Sequence, residues 1–194
     1  MNRDEELTAA HQRKTLGFWV YLMTDCVLFA ALFATYAALQ SSTFGGPSGA
    51  ELFSMPFALA ETIILLTSSF TIGLAVLSSV RGYKKQSFAW LIVTLLLGLT
   101  FLVMELGEFS ALIGDGHGWQ QSAFLSSYFV LVGTHGIHIA IGLLWLIVVM
   151  VRLWRRNFKQ TDVRRLALLG LFWHFLDVIW IFIFSFVYLI GGMV

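Results

Sequence analysis

Five long apolar runs constrain this sequence more than any other feature. They cover about residues 17–40, 57–80, 88–108, 123–151 and 168–191. Each is long enough for the roughly 20 residues that cross the hydrocarbon core of a bilayer. Only 12% of the residues are charged, against about 25% in soluble domains, so a water-soluble fold is excluded. The pattern predicts an all-α integral membrane bundle of five transmembrane helices.

The positions of the basic residues predict the orientation of these helices. All twelve Lys and Arg residues lie before the first run, between the second and third, or between the fourth and fifth: Arg3, Arg13, Lys14, Arg81, Lys84, Lys85, Arg152, Arg155, Arg156, Lys159, Arg164 and Arg165. The segments 41–56 and 109–122 contain none. Short basic loops next to membrane helices stay in the cytoplasm. We therefore expect a cytoplasmic N-terminus and a periplasmic C-terminus.

The remaining sequence features indicate one membrane domain. The polar residues 1–16 are predicted to form a cytoplasmic N-terminal tail, and residues 17–194 a single five-helix domain. The first run lacks a small-residue cleavage site and is too long for a signal peptide, so we expect it to be retained. A net charge of +1 gives no indication of nucleic-acid binding, and the single Cys26 cannot form an intrachain disulfide.

Eight ionisable residues fall within or at the edge of the runs, and these are the candidate functional residues: Asp25, Glu61, Glu105, Glu108, His135, His138, His174 and Asp177. An acid at the centre of a membrane helix costs about 2.5–3.5 kcal/mol on insertion scales. We therefore expect these acids to face the bundle interior. Since desolvation disfavours the charged form, they should be protonated or hydrogen-bonded to histidine.

Helix geometry separates these residues by depth, at a rise of about 1.5 Å per residue. Three are expected in the inner half of the membrane: Asp25, His174 and Asp177. Three are expected near the outer side: Glu61, Glu105 and Glu108. The remaining two, His135 and His138, should lie between these groups. Residues three apart share a helix face, which applies to Glu105/Glu108, His135/His138 and His174/Asp177.

Three interpretations of this set remain open from the residues alone. Carboxylates and histidines on facing helices could hold a di-metal centre or a haem, but no Glu-x-x-His signature of di-iron bundles is present. The buried acids could instead form a proton path, which is a common role for acids within membranes. The third interpretation is structural: these groups hydrogen-bond helices and lipid head groups. The separation into clusters favours this structural role over a continuous proton path.

One motif in each run carries a family resemblance. The five segments are 17–25 (GFWVYLMTD), 61–69 (ETIILLTSS), 105–109 (ELGEF), 133–138 (GTHGIH) and 173–180 (WHFLDVIW). In this order, they resemble subunit III of the haem-copper oxidases over about residues 15–191. The five-helix form and Glu61 most resemble the subunits of bacterial cytochrome bo-type ubiquinol oxidases. Cytochrome c oxidases often have a seven-helix version with Asn at the site matching Glu61.

The resemblance implies a non-catalytic subunit of a proton-pumping terminal oxidase in the bacterial inner membrane. It implies no catalytic residue, metal or redox cofactor on this chain, because haem and copper belong to the catalytic subunit I that it contacts. The expected roles are stabilising that subunit, binding phospholipid and supporting proton uptake. Asp25 falls where many cytochrome c oxidases have a buried, carbodiimide-reactive Glu. The alternatives are subunit III of a five-helix cytochrome c oxidase, and an independent proton-coupled carrier.

Overall fold

The structure, a computed structural model, describes residues 3–43, 45, 49–52, 54–155 and 160–191. Arg156, Lys159 and residues 192–194 lie outside these ranges, as do the side chains of Arg3 and Lys14. Within them the chain forms α1 (Arg3–Leu39), α2 (Gly49–Leu52), α3 (Met55–Val80), α4 (Lys84–Gly114), α5 (Ala123–Arg155) and α6 (Gln160–Ile183), which continues as a π-helix over Phe184–Ile190.

Five of these helices, α1 and α3 to α6, are long and apolar enough to cross a membrane. The described residues contain no strand. The predicted all-α bundle of five membrane helices is therefore confirmed. The orientation of its termini remains a prediction.

The helices extend beyond the apolar runs that predicted them. Helix α1 begins at Arg3, within the segment assigned to a polar tail, although its candidate membrane span begins only at Thr15. Likewise, α4 continues to Gly114, past the end of the apolar run at residue 108. Hydropathy marks the lipid-exposed part of a helix, whereas backbone hydrogen bonding can continue into polar flanks. Run boundaries therefore underestimate helix length.

A turn of three residues connects α3 to α4. Gly82 joins α3 to α4 with φ of 81°, in the left-handed region that favours glycine. The α5 helix begins after Ser122, whose hydroxyl oxygen accepts a hydrogen bond from the backbone N–H of Leu125 at 3.1 Å. Pro56 lies in the first turn of α3. Backbone N–H groups in the first turn have no partner within the helix, so the missing N–H of proline costs no helical hydrogen bond there.

Helices α3 to α6 form the core of the bundle, and α1 packs on its outside. Helix α6 contacts α3 and α5, while α1 contacts α5 and, less extensively, α6. The buried positions of α1 form one narrow stripe, Leu22, Asp25, Phe29 and Tyr36. The other faces of α1 are exposed, including Val27 at 71%. Most of α1 is therefore available to lipid or to another chain.

The described basic side chains gather at one end of the bundle. Arg81 follows α3, Lys84 begins α4, Arg155 ends α5 and Arg164 lies near the start of α6. Consecutive spans run in opposite directions, so these positions fall at the same end. We call it the basic end, and the other the opposite end.

Close packing at Gly98 provides a test of the core. A Cβ atom there would lie 2.9 Å from Leu143 Cδ2 and 3.0 Å from Trp173 Cη2, whereas a Cβ at Gly107 would meet nothing within 4 Å. We expect Gly98→Val to destabilise the bundle by about 1–3 kcal/mol through overpacking. Thermal unfolding in detergent measures this, with Gly107→Val on the same helix as the control. Equal melting temperatures for the two variants would contradict this packing.

Candidate functional site

The eight candidate residues separate into distinct groups. Glu61, Glu105 and Glu108 form the carboxyl cluster, towards the opposite end. Asp25 and His138 form a pair between α1 and α5. Ser69, His174 and Asp177 form a patch between α3 and α6. His135, the eighth candidate residue, lies apart from these groups among aromatic rings.

The carboxyl cluster combines side chains from two helices. Glu61 lies in the second turn of α3 and is 0% exposed, while Glu105 lies on α4 and is 2% exposed. Glu108, one turn after Glu105, is partly buried. The three carboxyl groups lie close enough to interact electrostatically. The depth of these three acids in the membrane remains a prediction.

Two tyrosines connect Glu108 to α5 and α6. The Tyr188 hydroxyl donates a hydrogen bond to Glu108 Oε2 at 2.9 Å, and the Tyr128 and Tyr188 hydroxyl oxygens are 3.1 Å apart. Either hydroxyl can donate in the contact between the tyrosines, and Tyr128 also interacts with the Glu108 carboxyl group. The chain Tyr128, Tyr188, Glu108 therefore joins α5, the end of α6 and α4.

The other two carboxyl groups of the cluster lack hydrogen bonds. All four carboxyl oxygens of Glu61 and Glu105 are buried without a partner among the described residues. Glu105 packs against the backbone of α5, where a Cβ at Gly136 would lie 2.7 Å from Glu105 Oε1. Several unpaired charges in so apolar a site would cost far more than neutral carboxylic acids. Glycine at position 136 provides the space that this carboxyl group occupies.

His135 is held by aromatic rings. It is 0% exposed, and its ring lies 5.2 Å from that of Trp180 and 5.9 Å from that of Phe101, centre to centre. Neither ring nitrogen has a hydrogen-bond partner among the described residues. This imidazole therefore packs as a core aromatic group.

Asp25 and His138 face each other between α1 and α5. Asp25 Oδ1 lies 3.7 Å from His138 Nε2, and His138 Nδ1 lies 2.7 Å from the carbonyl oxygen of Thr134. A carbonyl oxygen only accepts hydrogen bonds, so Nδ1 carries a proton. The second ring nitrogen, Nε2, is therefore the one that can exchange a proton with Asp25. The sequence analysis grouped Asp25 with His174 and Asp177 and did not single out this pair.

The third group faces outward on one side. Ser69 Oγ lies 2.6 Å from His174 Nδ1, and the His174 side chain is exposed. Asp177 lies beside Ser69 but is only 4% exposed, and neither of its carboxyl oxygens has a hydrogen-bond partner among the described residues. The contact between α3 and α6 therefore has a small polar patch on its exposed side, surrounded by apolar helix surface.

Sequence reasoning missed most of the hydrogen-bond partners at these sites. Thr134 lies one helical turn before His138, so its backbone contact could have been found from spacing alone. Ser69, Tyr128 and Tyr188 gave no such signal, because their partners lie on other helices. Among the described residues, no group of three or more His, Cys, Asp and Glu side chains could hold a metal ion.

The fold and these sites define a class of protein: a multi-pass helical membrane protein whose buried acids are held among aromatic and hydroxyl side chains. Comparison with known protein families identifies the family within this class. The family model for cytochrome c oxidase subunit III matches residues 5–192. The chain belongs to this family, as its motifs predicted.

Curated relatives match over nearly the whole chain. It is 55% identical over 177 residues to the cytochrome bo(3) ubiquinol oxidase subunit 3 of Pseudomonas aeruginosa, covering 91% of this chain and 85% of that protein. Identity to the protein of the same name from Buchnera aphidicola is 45% over 184 residues, 95% of each chain. Identity to the cytochrome c oxidase subunit 3 of Bacillus sp. strain PS3 is 44% over 188 residues, 97% of this chain and 91% of that one.

The tyrosine chain generates a stability prediction with a matched control. We expect Tyr188→Phe to destabilise the bundle by about 1–2 kcal/mol, because Glu108 and Tyr128 lose a buried partner. Tyr36→Phe should be neutral, since its buried hydroxyl has no partner among the described residues. Thermal unfolding of both variants measures the difference. A larger loss from Tyr36→Phe would show that the hydrogen bonds are assigned wrongly.

Proposed function

We propose that this chain is subunit III of a bo(3)-type ubiquinol oxidase, an accessory subunit that stabilises the catalytic subunit in the bacterial inner membrane. The observation that carries this proposal is the 55% identity, over 91% of the chain, to a protein of that name. Oxygen reduction, haem and copper belong to the catalytic partner. The basic end faces the cytoplasm, in keeping with short basic loops remaining on that side.

The environments of the three histidines support an accessory role. His138 Nδ1 donates a hydrogen bond to the backbone carbonyl oxygen of Thr134, and its Nε2 faces Asp25. His174 Nδ1 is hydrogen-bonded to the Ser69 hydroxyl, and His135 lies among aromatic rings. In this arrangement each imidazole takes part in packing or in a hydrogen bond within the chain itself, in keeping with a structural role.

The patch of Ser69, His174 and Asp177 supports a docking role for the α3–α6 face. If the Ser69 hydroxyl donates to Nδ1 of His174, the proton of the neutral ring lies on Nε2. Around it the face is apolar, with Phe70 67% and Val178 50% exposed. Lipid tails cannot accept a hydrogen bond, whereas a polar group on a helix of the catalytic subunit can. This face is where we expect that subunit to bind.

Assembly measurements test this docking face. Purification through a tag on this chain should recover a haem-containing partner, and His174→Leu should lower that recovery several-fold. His174→Gln, which keeps a hydrogen-bonding side chain, should restore most of it. Thr100→Leu, an exposed polar-to-apolar change on α4 whose hydroxyl bonds only its own helix, is the control.

Two results would contradict this part of the proposal. One is unchanged recovery of haem with His174→Leu. The other is full recovery accompanied by a large loss of turnover per haem, which would indicate a chemical role for His174.

The Asp25–His138 pair supports a second role, in sustaining proton uptake by the catalytic subunit. The two groups lie 3.7 Å apart and are 10% and 12% exposed, so they are reachable from the α1 face. The hydrogen bond from His138 Nδ1 to the Thr134 carbonyl oxygen holds the ring in place. One proton can therefore move between Asp25 Oδ1 and His138 Nε2 without rotation of the ring. Such an acid–imidazole pair can hold a proton within the membrane.

Removing the acid tests this second role. We expect Asp25→Asn to leave assembly and haem content unchanged, but to shorten the time for which the complex stays active during turnover. Asp25→Glu should retain activity, since it keeps the carboxyl group. Oxygen consumption followed over many turnovers measures both variants. Identical time courses of oxygen consumption for Asp25→Asn and the wild type would exclude a role of Asp25 in sustaining proton uptake.

A further inference from the structure

A groove between α4 and α5 lies in the half of the bundle towards the opposite end. Its volume is about 500 Å³, within the range of small-molecule sites in proteins. Three apolar side chains of its lining are more than half exposed: Leu106, Val130 and Ile137. A molecule dissolved in the membrane can therefore enter the groove from the side.

Glu105 is the one ionisable side chain among the described residues that line this groove. It is 2% exposed, and neither carboxyl oxygen has a hydrogen-bond partner among the described residues. The last torsion of a glutamate side chain is soft, so one oxygen can turn towards a ligand in the groove. Because a buried polar group without a partner is costly, a ligand that hydrogen-bonds Glu105 is stabilised there.

Two phenyl rings line the groove on the outer side of Glu105. The rings of Phe109 on α4 and Phe129 on α5 lie 4.8 Å apart, centre to centre, with 49° between their planes. A Cβ at Gly133 would lie 3.6 Å from the Phe109 ring, so glycine leaves the space beside this ring free. Aromatic rings favour offset or edge contacts with another flat ring. This part of the groove therefore suits a planar head group.

The position of Glu105 along α4 favours a neutral ligand. Glu105 lies nine residues before Gly114, about 13 Å from the end of the helix, and the polar loop begins only at Asp115. Among the described residues of the lining, none is Lys or Arg. An anionic phosphate here would lose its hydration without meeting a cation. A neutral molecule that carries its polar group into the hydrocarbon avoids this cost.

We propose that this groove binds one prenylated quinol or quinone, the class of substrate that the proposed oxidase uses. Its ring packs against Phe109 and Phe129, and one ring oxygen is hydrogen-bonded to Glu105. A protonated carboxyl group both donates and accepts, so it suits the hydroxyl of a quinol and the carbonyl of a quinone. The prenyl tail follows Leu102 and Ala140 towards the membrane centre. The inference rests on the proposed function, and adds a quinol site on this chain.

Photolabelling of the intact oxidase complex tests the site. The complex, purified through this chain, is irradiated with a short-chain ubiquinone analogue that carries an azide on its ring. Labelled peptides are then mapped by mass spectrometry. We expect label in the α4 and α5 segments that line the groove. Ubiquinone of the same chain length should displace the label, whereas phosphatidylglycerol and phosphatidylcholine should not.

Three variants test the residues that form the site, with labelling normalised to haem content. Glu105→Leu should lower labelling of the groove about five-fold, the effect of losing one hydrogen bond between neutral groups. Glu105→Gln should restore most of it, because the amide also donates and accepts. Gly133→Leu should abolish labelling by filling the space beside Phe109. It tests the site independently of the acid.

Matched controls keep the test specific. Glu61→Leu removes another acid of the carboxyl cluster, outside the groove lining. Gly107→Leu adds the same side chain as Gly133→Leu at a position of α4 where a Cβ meets nothing within 4 Å. Both variants should label as the wild type does.

Four results would overturn the proposal. They are absence of label from the groove, full labelling of both Glu105→Leu and Gly133→Leu, an equal loss with Glu61→Leu as with Glu105→Leu, and displacement by phospholipid as effective as by ubiquinone. The last result would assign the groove to a phospholipid.

The same samples separate this inference from the proposed function. Haem content and oxygen consumption with ubiquinol are recorded for every variant. A haem-containing complex that respires with ubiquinol but takes no label in the groove contradicts the quinol site alone. Absence of a haem-containing partner contradicts the proposed function, whatever label is found.

Discussion

Hydrocarbon offers no hydrogen-bond partner, and this constraint shapes every polar contact in the bundle. Each buried polar side chain must find a partner on its own helix or on a neighbour. Trp173 donates its indole N–H to Ser68 at 2.9 Å, and Trp180 donates to Thr62 at 3.0 Å. These two bonds join α6 to α3 at two levels. They fix the register of the two helices in a way that apolar packing alone does not.

Several buried polar groups are exceptions to this rule, and most of them are acids. Glu61, Glu105 and Asp177 are almost fully buried without hydrogen-bond partners among the described residues, each on a helix of the four-helix core. Asp25 instead faces His138 at the edge of the bundle, between α1 and the core. The unpaired acids thus lie inside, while the Asp25–His138 pair lies at the boundary with α1.

Physical reasoning from the sequence predicted the features that hydropathy and helical rise control. The number of spans follows from apolar length. Contacts between helices could not be predicted in this way. The partnership of Tyr188 with Glu108 depends on how helices rotate against one another, and the outward exposure of His174 depends on which face of α6 meets α3. Neither rotation is encoded in the spacing of one helix.

The most direct test of the central claim is oxygen consumption by the native complex purified through a tag on this chain. It is measured with ubiquinol and, separately, with reduced cytochrome c as the electron donor. Our account predicts a haem-containing complex that respires with ubiquinol and not with cytochrome c. Respiration driven by cytochrome c would instead group the chain with cytochrome c oxidase subunits, such as its relative from Bacillus sp. strain PS3. A purified chain without any haem-containing partner would contradict the account altogether.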